Sequence, residues 1–123
     1  MISTELLSEV LCVHVRDDWY FDCEILVYTY DKILGLNENY KAEINIYELA
    51  HKCKEWALSE GYIIEVGVHP TIKKDRSDRD YFYKITTDRG QRLISNLVEI
   101  IKTEPEAVFR ACELVLEQIK CGS

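Results

Sequence analysis

A chain of 123 residues, 47% hydrophobic and 30% charged, is long enough for one independently folding domain and too polar for a membrane protein. A formal charge of −7 excludes a generally polyanion-binding surface, because carboxylates repel phosphate unless cations are gathered in one place. The longest apolar runs, such as Ile25 to Tyr28, fall far short of the ~20 residues needed to cross a bilayer.

The opening MISTELLSEV carries Glu5 and Glu9 and no basic stretch ahead of an apolar run, so it does not read as a secretory leader. A cytoplasmic location is expected. Within this stretch Ser3 or Thr4 can cap a short helix with Leu6, Leu7, Val10 and Leu11 on one side. After Asp17-Asp18 the chain alternates, with Trp19, Phe21, Cys23, Ile25 and Val27 on one side and Tyr20, Asp22, Glu24 and Tyr28 on the other. That pattern predicts one long half-buried strand. Residues 31–39 hold Gly35 and a polar Asn-Glu-Asn, as a connection would. Tyr40, Ala42, Ile44 and Ile46 then alternate with Lys41, Glu43 and Asn45 in a second strand.

The period next changes from two to about 3.6. Asn45 with Glu48 is a capping pair, and Ile46, Leu49, Ala50, Cys53, Trp56 and Ala57 form one apolar stripe, with Glu48, Lys52 and Glu55 opposite. Gly61 stands where a left-handed residue would end the helix. Tyr62 to Val68 reads as a strand that His69-Pro70 breaks, and Tyr81 to Thr87 as another. Between 91 and 101, Leu93, Leu97 and Ile101 with Ile94 and Val98 have helical spacing, although Asp88-Arg89-Gly90 is also a good turn into a further antiparallel strand. Periodicity favours the helix. Thr103-Glu104-Pro105-Glu106 is a capping box opening a final helix with Val108, Ala111, Cys112, Val115 and Ile119 on its buried side. Together these elements predict a single α+β domain over 1–123, a mainly antiparallel sheet covered by two main helices.

Two strings carry a resemblance. INIYELAHKCKEWA, running on to SEGY, and TEPEAVFRAC, running on to ELVL, resemble segments shared by small uncharacterised proteins of bacterial genomes and prophages. In those proteins the second segment often ends in a tryptophan-isoleucine pair, where this chain has Leu114-Val115. The opening LLSEVL is similar to their start, and the three segments cover roughly a third of the chain. The resemblance implies a phage or mobile-element origin and a strand before Thr103, and it implies no activity. GYIIEV, KKDRSDRD and YKITTDRGQRLI also resemble the wing of winged-helix regulators and their Y-x-L-T-x-x-G-x-x-L signature, departing from it by one residue between Thr86 and Gly90.

That second resemblance implies nucleic-acid contacts at Lys73, Lys74, Arg76 and Arg79, in a segment where Lys73 to Arg92 holds seven basic and four acidic residues. Against it, the would-be recognition helix turns Glu48 and Glu55 to solvent, and the helix that should precede it reads as strand. A mixed-sign charge run of this kind is most simply a solvated loop. Five cysteines at irregular spacing, Cys12, Cys23, Cys53, Cys112 and Cys121, point to reduced thiols, most of them small core residues. Cys12, His14, His51 and Cys53 supply the ligand types of a zinc site, with Cys12 and His14 expected on one strand, but His51 and Cys53 fall on different sides of a helix. No metal, cofactor or catalytic residue is assigned, because no G-x-S-x-G, H-E-x-x-H or P-loop string occurs and Asp17-Asp18 reads as a turn.

The eight tyrosines are more suggestive. Tyr20, Tyr28 and Tyr30, with Leu26, are expected on one strand face that is too wet for a core and too aromatic for plain solvent. The expected function is therefore non-enzymatic: a cytoplasmic interaction or accessory protein that binds another protein or itself, with winged-helix-like nucleic-acid binding as the alternative.

Overall fold

The computed structural model describes residues 2–31, 39–68, 81–87, 89–90, 92–95, 101 and 103–121. The first helix, α1 (Thr4–Leu11), is capped by Ser3, whose hydroxyl accepts the Leu6 N–H at 3.1 Å. Leu6, Leu7 and Val10 are buried as the spacing predicts. The helix ends on Cys12, which takes a left-handed conformation with φ of 58°. Cys12 is thus a helix cap, correcting the expectation that it stands beside His14 on a strand.

Four strands follow in one antiparallel sheet. β1 (His14–Val15) and β2 (Tyr20–Asp22) are two stretches of the same edge, both paired with β3 (Ile25–Asp31), whose other side pairs with β4 (Asn39–Asn45). Val15 faces Tyr30 and Tyr20 faces Val27, so Arg16, Asp17, Asp18 and Trp19 bulge out opposite Tyr28 and Thr29 alone. The bulge is tied down polar group by polar group. Arg16 N–H donates to the Thr29 carbonyl at 2.9 Å, the Thr29 hydroxyl donates to Asp18 at 2.5 Å, and the Trp19 indole donates to the Thr4 hydroxyl at 2.8 Å.

The single long strand expected from Trp19 onward is in fact a hairpin. Asp22 pairs with Ile25, leaving Cys23 and Glu24 as a two-residue turn with Cys23 at φ of 55°. A positive φ at the first central position of a two-residue hairpin turn is a conformation normally taken by glycine. With no glycine, asparagine or proline at the bend, the alternation runs through it unmarked. Across such a turn the parity of the inward residues flips, so Phe21 shares a face with Leu26 rather than with Ile25.

β4 runs directly into α2 (Ile46–Ser59). Asn45 accepts the Tyr47 N–H at 2.8 Å, and Ile46 N–H donates to the Glu24 carbonyl at 2.7 Å, which pins the helix start to the hairpin turn. Leu49, Ala50, Cys53, Trp56 and Ala57 are buried in the expected stripe. Gly61, at φ of 92°, turns the chain where expected into a second antiparallel sheet of β5 (Tyr62–Val68), β6 (Tyr81–Thr87) and β7 (Arg92–Ser95).

Over Arg92–Ser95, β7 replaces the helix expected across 91–101. Gly90 turns with φ of 82°, Ile94 pairs with Ile85, and Ile101 bridges Tyr81. A short apolar run fits either period, and the open edge of β6, with backbone groups to satisfy, selects the strand. Residues 96–100 lie outside the described set. The last helix, α3 (Glu104–Cys121), starts as predicted, with the Thr103 hydroxyl accepting the Glu106 N–H at 3.3 Å and Pro105 in the first turn.

α3 packs on α2, β5 and β6, while α2 packs on β5 and meets α1 and β4. Glu113 of α3 accepts the Ser3 N–H at 2.6 Å, and Lys120 pairs with Glu5, closing α3 onto α1. One core joins both sheets and all three helices through Leu6, Leu26, Leu49, Ile85 and Phe109. The fold is α+β, with two antiparallel sheets where one was expected, two long helices and the short α1.

Candidate interaction surface

Along β3, residues 26, 28 and 30 share the inward face at the strand period of two, and their partners on β4 are Ile44, Ala42 and Tyr40. Exposure rises steadily along this line. Leu26 is fully buried, Tyr28 packs partly buried against the core, Tyr30 is half-buried, and Tyr40 is 37% exposed. The rings form a ladder: Tyr28 and Tyr30 lie 5.8 Å apart at 38°, and Tyr30 stacks on Tyr40 at 5.7 Å and 27°. Burial, then the neighbouring Tyr30 and Glu48, raise the Tyr28 phenol above its ordinary pKa, so it keeps its proton.

The structure brings Leu26, Tyr28 and Tyr30 together but separates Tyr20 from them. Tyr20 is paired with Val27, on the opposite face of the sheet, and is 52% exposed there. Leu26 belongs to the core rather than to a surface. Tyr40, absent from the expected set, completes the ladder. The signal for it was its place in the Tyr40, Ala42, Ile44 alternation, which shows its face but not its partner strand. Tyr47, in the first turn of α2, is also exposed.

The basic residues Lys73, Lys74, Arg76 and Arg79 lie outside the described residues. α2 follows β4 without a preceding helix between Trp19 and Asn45 among the described residues, and its exposed side carries Glu48, His51, Lys52 and Glu55. Among the described residues no helix pair is formed there.

Between α1 and β1 lies an open depression of about 710 Å³, lined by Thr4, Ser8, His14, Arg16 and Asp18 among others. The five side chains named have partners in the fold, while Glu9 and Asp17 also line it. His14 and Arg16 meet Asp31 at 3.2 and 3.4 Å, Asp18 holds Thr29, Thr4 holds Trp19, and Ser8 accepts the Val15 N–H at 3.1 Å. These contacts build the bulged edge.

The residues of the conceivable zinc set are not convergent. Cys12 is exposed at the end of α1, His51 turns outward to Glu55 at 2.8 Å, and Cys53 is buried between α2 and α3. There the Cys112 thiol donates to the Cys53 carbonyl at 3.4 Å, and the neighbouring Cys53 thiol, with burial, pushes the Cys112 thiol far above its ordinary pKa. Only Cys53 and Cys112 are core residues. Cys12, Cys23 and Cys121 are exposed, against the expectation that most cysteines pack inside, because two of them occupy turns whose geometry the spacing did not show. Compared with known proteins, the chain matches no family model, no curated protein and no solved structure.

Proposed function

We propose that this is a non-catalytic interaction or accessory protein of the cytoplasm, which binds another polypeptide or a second copy of itself through the tyrosine-bearing side of its first sheet. The resemblance of its two long segments to prophage proteins supports a phage or mobile-element setting. The observation that carries the reading is the Tyr28, Tyr30, Tyr40 ladder, which runs from the core to the surface. Stacked tyrosines offer a partner large, stiff apolar area with little side-chain entropy to lose, and hydroxyls that stay satisfied at a wet rim.

The test replaces Tyr30 and Tyr40 together with serine and compares the variant with the wild type by light scattering and by pulldown from a lysate of its host. The expected result is a complex that forms with the wild type and is lost in the variant. A wild type that is monomeric and recovers no partner removes the reading. A gel shift that weakens steeply with salt would instead support nucleic-acid binding.

A further inference from the structure

The first sheet has two edges of different kinds. The β1/β2 edge is interrupted by the bulge at Arg16 to Trp19, the sort of irregularity that blunts an edge. β4 is a continuous strand from Asn39 to Asn45 that, among the described residues, pairs with β3 alone. Its residues are exposed apart from Ala42 and Ile44. Such an edge offers a row of backbone donors and acceptors to any strand of suitable sequence.

The hydrogen-bond phase is set by the Ile46 N–H bonding to the Glu24 carbonyl, which continues the β3–β4 register past Asn45 and Ile25. Antiparallel pairing alternates, so Ile44, Ala42 and Tyr40 direct their backbone groups to β3. Asn39, Lys41, Glu43 and Asn45 direct theirs outward.

The sequence of this edge, Asn-Tyr-Lys-Ala-Glu-Ile-Asn, is complementary to its own reverse about Ala42. Antiparallel pairing of two copies centred there sets Lys41 opposite Glu43 of the second copy and Glu43 opposite its Lys41, with Tyr40 opposite Ile44. Opposite charges and aromatic-with-branched pairs are the favourable cross-strand combinations. The outward-directed residues are also the ones such pairing would hydrogen-bond. Moving the centre by one residue sets Lys41 against Lys41 or Glu43 against Glu43, so one register alone satisfies both charge and hydrogen bonding. The other long edge, β5, carries Glu65 at its centre and would meet its own carboxylate in the equivalent arrangement.

We infer that the β4 edge pairs with the β4 edge of a second copy, in the antiparallel register centred on Ala42, joining two first sheets into one. This rests on the proposed function and deepens it, by naming a second copy as the partner and the strand edge beside the tyrosine ladder as the contact.

The test uses the full chain in analytical ultracentrifugation across the micromolar range. The wild type is expected to sediment as a dimer, and Lys41→Glu and Glu43→Lys each to raise the dissociation constant by about tenfold or more. An equimolar mixture of the two single variants is expected to dimerise again, as is the double variant Lys41→Glu/Glu43→Lys, which also shows that the substitutions leave the fold intact. A monomeric wild type overturns the inference, as does a dimer that both single variants leave unchanged. In either case a complex that is still lost on replacing Tyr30 and Tyr40 leaves the broader interaction reading standing, so the two failures are distinct.

Discussion

The second sheet, β5 to β7, lies against α3 through β5 and β6 and against α2 through β5, whereas among the described residues the main helix contacts of the first sheet, β1 to β4, are with α1 at β1 and α2 at β4. The same alternating pattern therefore has two outcomes. In the second sheet Ile64, Tyr83 and Ile85 are buried, Tyr83 to 5% exposure. In the first sheet Val15, Leu26 and Ile44 are buried, but on the same face Tyr30, directly opposite Val15, is half-buried, and Tyr40, its partner on the β4 edge, is 37% exposed. A tyrosine on a strand is core or surface according to what the rest of the chain lays over it, and strand periodicity has no access to that.

The sharpest way to break this comparison is to truncate one residue in each sheet. Ile85→Ala in the second sheet is expected to lose about 2–5 kcal/mol in a urea titration, as a buried side chain leaving a cavity. Tyr40→Ala in the first is expected to lose less than about 1 kcal/mol, as a surface change. Equal losses would mean that the two sheets are covered alike.

A second change probes the outer face of the second sheet. A Cβ on Gly67 would lie 2.6 Å from the tip of the Phe82 ring, which rests over the bare backbone of that glycine. Gly67→Ala is expected to cost about 1–2 kcal/mol by overpacking. Added to Phe82→Ala, the same substitution should cost almost nothing, and additive losses by denaturant titration would show that the two residues do not touch.

The junction between the halves comes next. Asn45 closes the first sheet and caps α2, so Asn45→Ala is expected to lose about 1 kcal/mol with the unfolding still a single transition. Two separate transitions would show that the sheets do not share a core.

The smallest effect is a pH dependence confined to the first sheet. Burial, Tyr30 and Glu48 raise Tyr28 above its ordinary value of 10.0, so the folded protein holds a proton that the unfolded chain gives up. That contribution is complete below pH 10 and fades as the pH climbs through the folded value. Above pH 10 the melting temperature of the wild type is expected to fall relative to that of Tyr28→Phe, so that their difference moves in the variant's favour whatever its sign at neutral pH. A constant difference would mean that Tyr28 is as solvated as in the unfolded chain.

Helices α2 and α3 were legible because a cap, an unbroken stripe and a terminal residue agreed: Asn45, Leu49 to Ala57 and Gly61 in one, Thr103, Pro105 and Val108 to Val115 in the other. β4, β5 and β6 were legible from alternation bounded by breakers. The hairpin at Cys23-Glu24 was not, because a cysteine in a glycine-type conformation leaves no mark on a period-two pattern. β7 was not, because Leu93, Leu97 and Ile101 suit a helix and only the neighbouring β6 made a strand the better choice. Of the candidate surface, Tyr28 and Tyr30 were read onto one face correctly, while Tyr20 was misplaced by the unseen turn and Tyr40 was passed over because its partner strand was unknown.

The sequence by itself determined which segments are helix or strand wherever local signals agree, which side of each long helix is greasy, and the self-complementary order of charges along Asn39 to Asn45. Tertiary structure alone decided that the strands divide into two sheets, that Leu26 is interior while Tyr40 is not, and which strand pairs on one side alone among the described residues. The reason is one of range: periodicity and capping act within a few residues of chain, whereas burial depends on distant segments arriving over a face, and those arrivals are settled by the core as a whole.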